Sequence, residues 1–136
     1  MASIRTETLI KAPLDEIWAA LRDWGALHRL APGFVADTRL DGDDRIVTFS
    51  DGAVVREVLV DLDDRAHRLA WTIVDGPYTH HNGSAQLCSA GDGQTRFVWT
   101  TDLLPSELAD PTAQRMQQGT SIIKQTLESA RQHART

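Results

Sequence analysis

The sequence predicts an α+β fold: a curved antiparallel sheet of seven strands, ordered β-α-α-β6-α, wrapped around a long C-terminal helix. Three observations lead there. Seven short segments alternate or are rich in β-branched residues. Turn-forming clusters of Asp, Gly and Pro separate the last six, and connections that short join antiparallel neighbours. Finally, Met116, Thr120, Ile123, Leu127 and Ala130 recur at spacings of four, three, four and three, which marks one face of a helix over residues 110–132.

Residues 3–10 form the first predicted strand, ended by Ala12-Pro13. Leu14, Ile17, Trp18 and Leu21 then share a helical face, with Asp15 and Glu16 in the first turn, where the helix dipole favours acids. Asp23-Trp24-Gly25 breaks this helix, and a second short one reaches Leu30 before Pro32-Gly33. Predicted strands follow at 34–40, 45–49, 53–62, 67–74, 79–89 and 95–104. The turns between them are at 41–44, 51–52, 63–65, 76–77 and 91–93. Asp110 is read as the cap of the last helix, with Pro111 at its first position. Nothing divides the chain, and residues 1–136 read as a single domain.

A meander of this size twists and curls. One helix with a modest apolar stripe cannot fill the hollow of seven strands, so a cavity is expected between sheet and helix. The low aromatic content, 6%, favours that over a plugged core.

The net charge of −5 argues against a nucleic-acid partner. No apolar run reaches the ~18 residues of a membrane span, and the N-terminus lacks a signal-peptide layout, so a cytoplasmic location is the default. Cys88 is the lone cysteine and is expected to be a half-buried strand residue. No His/Cys spacing suits a metal, no nucleophile elbow is present, and Gly91-Asp92-Gly93 joins strands without opening a helix. Neither a metal nor a cofactor is expected.

On the fifth strand Leu69, Trp71, Ile73 and Asp75 share a face; on the seventh, Phe97, Trp99, Thr101 and Leu103 do. The large aromatics place both faces inward. Met116, Thr120 and Ile123 should form the floor, and Gly119 would let the sheet or a ligand approach the helix. Glu57 is ambiguous. It shares a face with Val55, Leu59 and Asp61, whereas the opposite face (Val54, Arg56, Val58, Val60, Leu62) is more apolar, so periodicity alone turns Glu57 outward. His80 and His81 are strand neighbours and point to opposite faces, so they cannot both bind one metal. The pattern His81, Gly83, Ala85, Leu87 places His81 inward.

Four stretches carry a family resemblance: residues 10–18 (IKAPLDEIW), 56–64 (REVLVDLDD), 69–77 (LAWTIVDGP) and 95–101 (TRFVWTT). With the element order, they resemble the helix-grip fold of the START and birch-pollen-allergen-like (SRPBCC) superfamily. The bacterial polyketide cyclase/dehydrase-like proteins within it are the most similar. The resemblance covers nearly the whole chain. It implies that Trp71 and Trp99 line a pocket and that Glu57 turns into it, with Leu59 on the same face. It also implies that His80 faces the pocket and that Tyr78 stands near its entrance. A desolvated Glu57 would have a raised pKa and could anchor a ligand hydroxyl.

Three functions follow. The protein is expected to hold a small hydrophobic or aromatic molecule of polyketide, lipid or terpenoid type. Alternatively it performs a cofactor-independent cyclisation or dehydration, with Glu57 and His80 or His81 as acid and base. A third reading is a ligand-gated partner module whose interface lies near residues 51–53 and 76–80. A homodimer is compatible with each.

Overall fold

The computed structural model describes residues 1–135. Strand β1 (Ala2–Ile10) leads into helix α1 (Leu14–Leu21), a 3-10 turn (Trp24–Ala26) and the one-turn helix α2 (Leu27–Leu30). Six strands follow: β2 (Val35–Asp41), β3 (Asp44–Phe49), β4 (Val54–Asp63), β5 (Arg68–Val74), β6 (His80–Gly91) and β7 (Gln94–Leu104). A 3-10 turn (Ser106–Leu108) then enters the long helix α3 (Ala109–Arg135). The sheet order is β1-β7-β6-β5-β4-β3-β2, and every pairing is antiparallel. The two short helices therefore carry the chain from one edge of the sheet to the other, and the strands return by hairpins. This is the helix-grip arrangement that the element order predicts.

The predicted turns form for local reasons. Asp63 Oδ1 accepts from the backbone N–H groups of Arg65 (3.0 Å) and Ala66 (2.9 Å), so the side chain itself closes the β4–β5 turn. At the β6–β7 turn Gly91, Asp92 and Gly93 all take positive φ (79°, 53° and 73°), a path that glycine follows without steric cost. Register shifts interrupt β2 between Val35 and Asp37, β4 between Leu59 and Asp61, and β6 between Ser89 and Gly91. Such bulges bend a strand and increase its twist, which curls the sheet.

Polar contacts seat α3 along β1. The hydroxyls of Thr6 and Thr120 are 3.1 Å apart, Lys124 Nζ donates to the Leu9 carbonyl at 2.7 Å, and Glu128 accepts from the Lys11 N–H at 2.8 Å. An Arg131–Glu16 ion pair ties the far end of α3 to α1. The helix starts at Ala109, so Asp110 lies in its first turn instead of capping it. The carboxylate still meets the positive end of the dipole, and Pro111 still falls where backbone N–H groups lack helical partners.

The core lies between the concave face of the sheet and the helices, with Ile10, Ile17, Leu69, Phe97 and Met116 almost fully buried. Cys88 is exposed, not half-buried. It sits out of phase with His81, Gly83, Ala85 and Leu87, whose side of β6 is the buried one. Among the described residues no helix is long and apolar enough to cross a membrane.

Candidate ligand cavity

A cavity lies between sheet and helix. Leu69, Trp71, Ile73, Phe97, Trp99 and Thr101 line it from the sheet, Met116 and Ile123 from α3, and Leu21 and Leu27 from the short helices. The centre of a water molecule can move within about 80 Å³ of it. At roughly 10–15 Å³ per water on this measure, and about 30 Å³ of liquid per water, the space is on the order of 150–250 Å³. A dry cavity of about 150 Å³ takes up benzene, so the size suits one aromatic ring with a short substituent. The rings of Trp71 and Trp99 pack with their centres 6.1 Å apart at 56°.

Two glycines allow this packing. A Cβ on Gly83 would lie 2.8 Å from Trp71 Cε2 and 2.9 Å from its Nε1, so the indole rests directly on the β6 backbone. A Cβ on Gly119 would lie 2.9 Å from Phe34 Cε2 and 3.1 Å from Trp99 Cζ3. Gly119 thus admits rings from the sheet side against the helix, as expected of it. Gly83→Ala should displace the rigid Trp71 ring and cost about 1–3 kcal/mol of stability by overpacking. A urea midpoint unchanged from the parent would refute this.

Glu57 is buried, 6% exposed. It turns inward against the apolar periodicity of its strand, and it is not alone. The β3–β4 register sets Arg45 directly opposite Glu57. Arg45 Nε and Nη2 donate to Glu57 Oε1 at 2.8 and 2.7 Å, and Nη1 donates to the Trp24 carbonyl at 3.2 Å. The guanidinium carbon lies 3.7 Å from the centre of the Trp24 ring and 5.9 Å from that of Trp71. Burial pushes the Arg45 pKa down and the Glu57 charge pushes it back up. The expected lone carboxylate is therefore half of a buried ion pair, and its Oε2 is the oxygen to which no described residue donates.

His81 lines the cavity, as the alternation of β6 predicts, and is 7% exposed. His80, which the family resemblance favoured, is exposed on the outer face and stands apart from the cavity. The β5–β6 ladder ends at Trp71 and Gly83. Beyond it the Ile73 N–H donates 3.1 Å to His81 Nδ1, and Thr72 Oγ1 donates to the His81 carbonyl at 2.5 Å. A side chain thus replaces a ladder bond where the two strands part. Desolvation, and secondarily the charge of His80, lowers the His81 pKa to about 4. The ring is neutral near pH 7, and because Nδ1 accepts, Nε2 carries the proton. Tyr78 packs on His81 with ring centres 5.0 Å apart and shares a 2.7 Å hydrogen bond with Thr112 on α3.

Other expected residues fall elsewhere. Leu59, opposite Trp71 in the β4–β5 register, packs against the core without lining the cavity. Thr120 is spent on Thr6. Asp75 is exposed with φ 57°, beyond the end of the strand. Arg45, Trp24, Phe34, Phe49 and Arg115 were not foreseen. Arg115 lines the cavity near its rim, 4.3 Å over the Phe49 ring and 3.2 Å from Asp51. Arg45 did leave a signal: it alternates with Val47 and Phe49 on the buried face of β3, and a charge on such a face needs a partner.

Known structures share this architecture. An uncharacterised protein from Bacillus thuringiensis superposes with a TM-score of 0.84 at 15% identity, covering 93% of this chain and 98% of its own. A Thermobifida fusca protein gives 0.77 at 24% identity, covering 94% and 91%. Norcoclaurine synthase from Thalictrum flavum, solved with dopamine and hydroxybenzaldehyde, gives 0.72 at 17% identity, covering 91% and 84%. At such identities the likeness concerns the fold. No curated protein matches the sequence significantly. The family profile described as polyketide cyclase / dehydrase and lipid transport matches residues 1–135. The chain belongs to the polyketide cyclase / dehydrase and lipid transport family.

Proposed function

We propose that the protein binds a small, largely apolar or aromatic molecule in the cavity between the sheet and α3. The observation that carries this reading is an apolar hollow of one-ring size bounded by Trp71, Trp99, Phe97, Met116 and Ile123, with a few polar groups on one wall. Apolar burial would supply most of the affinity, and the polar wall the orientation. The family profile supports the reading, because its description joins cyclase, dehydrase and lipid-transport activities. The size favours a compact guest over a long acyl chain.

A catalytic reading comes second. Glu57 and His81 face one cavity from β4 and β6, with β5 between them. Each, however, has one polar atom already engaged: Oε1 by Arg45, Nδ1 by Ile73. Both are thereby better fixed as contacts for a guest than poised as a free acid and base.

Ethylbenzene tests the binding reading. Titration should change the fluorescence of Trp71 and Trp99 saturably. Ala85, 1% exposed and paired with Trp99 across the strands, also lines the cavity. Ala85→Phe should fill the hollow and weaken ethylbenzene binding at least tenfold. Absence of any saturable change in the parent protein would remove the proposal.

A further inference from the structure

The polar wall also selects the chemistry of the guest. Resting on the reading above, we propose that the guest is a neutral molecule with a carbonyl-type acceptor and that His81 Nε2–H is the donor that specifies it.

Three observations converge. First, the backbone fixes the tautomer of His81. The Ile73 N–H occupies Nδ1, so towards a guest the neutral ring can only donate. The fixation does not depend on the guest, because it belongs to the parting of β5 and β6. Second, the charges along the wall are already matched. Arg45 is held by Glu57 and by the Trp24 carbonyl, and Arg115 at the rim by Asp51. A carboxylate guest would enter with no unpaired cation to meet it, and an ammonium guest would meet only the spare oxygen of a Glu57 whose charge Arg45 already balances. Desolvating either ion without a partner is costly, whereas a neutral guest escapes that cost. Third, a second donor on the lining is left over. Trp99 Nε1–H, on another cavity-lining side chain, is buried without any acceptor. An unpaired buried N–H favours a guest that brings an oxygen over one that brings another donor. Glu57 Oε2 can take one hydroxyl, but two N–H groups remain for acceptors. The hollow therefore suits an aryl ketone, aldehyde or ester better than an amine, an acid or a plain hydrocarbon.

The test uses ring compounds of one size: acetophenone, ethylbenzene, benzylamine and benzoate, titrated at pH 7.5 and followed by calorimetry. Acetophenone should bind at least tenfold tighter than the amine and the acid. His81→Leu should lower the acetophenone-to-ethylbenzene affinity ratio by about five- to tenfold, the loss of one hydrogen bond. His81→Gln, which can accept from Ile73 and still donate, should keep most of it. Circular dichroism establishes that each variant is folded. Should His81→Leu not fold, infrared spectroscopy of labelled acetophenone on the parent protein decides: its carbonyl stretch should fall below the value in hydrocarbon solvent. An unaltered ratio in folded His81→Leu, an unshifted carbonyl, or equal binding of the charged compounds would overturn this inference and leave the cavity reading standing. Binding of none of the four, ethylbenzene included, would overturn the cavity reading itself.

Discussion

Arg45→Met should destabilise the fold by about 3–5 kcal/mol, the cost of leaving a buried carboxylate without its counter-charge. Glu57 Oε1 loses both its donors, the Trp24 carbonyl loses a third N–H, and the Trp24 ring loses the cation stacked 3.7 Å from its centre. Methionine fills much of the vacated volume, so the loss reports electrostatics more than a cavity. Arg45→Met combined with Glu57→Leu should recover most of it, because an apolar pair of similar volume avoids the desolvation of both ions. Urea denaturation of the parent, both single variants and the double variant closes a thermodynamic cycle in which the coupling should be large. Loss of less than about 1 kcal/mol in the single Arg45 variant would mean that the carboxylate is well solvated without arginine, and the pair would not be the organising contact of the polar wall.

The pair shows what was legible in the sequence and what was not. Strand limits were readable because Asp and Gly cluster between β-branched runs. The prediction 45–49 became Asp44–Phe49, and 95–104 became Gln94–Leu104. The direction of Glu57 was not readable from its own strand. The outer face of β4 carries Val54 and Val60, 58% and 57% exposed, and these mimic a buried face. β-branched residues suit a pleated surface even where nothing covers it. The missing information lay on the neighbouring strand. Arg45 and Glu57 stand six residues either side of Asp51 in the β3–β4 turn, and the hairpin brings them opposite each other. One inward charge is an anomaly, but two that meet are a motif. Trp24 lies in a 3-10 turn with no periodicity to read, and the residues at the cavity rim come from elements far apart in sequence. The volume of the cavity depends on how far three bulged strands bend the sheet, which residue identity does not disclose.

Acid should weaken the fold through His81 before it acts through the carboxylates. In the unfolded chain a histidine titrates near its ordinary value of 6.5; here burial, aided by His80, lowers it to about 4. Above pH 6.5 both states hold a neutral ring, and its contribution to stability is whole. As the pH falls below that value the unfolded chain takes up a proton that the folded ring refuses, so stability declines with pH, by about 1.4 kcal/mol per unit. The decline ends near pH 4, where the folded ring is protonated as well, and sums to on the order of 3 kcal/mol. Protonation at Nδ1 would also displace the Ile73 N–H from a bond that joins the strands where they part. Glu7, Asp41 and Asp64 have pKa values held below the ordinary carboxylate range, chiefly by hydrogen bonds from Arg5, Arg56 and Trp18 respectively. Their contributions persist above the unfolded carboxylate pKa near 4 and are lost only below it. The interval from pH 6.5 to 4.5 therefore isolates the histidine. Urea unfolding across that interval should show a downward slope in the parent protein and a much flatter one in His81→Gln, whose amide can accept from Ile73 without titrating. Equal slopes in the two proteins would mean that His81 is solvated and titrates as in the unfolded chain, and the desolvated donor of the polar wall would be lost with it.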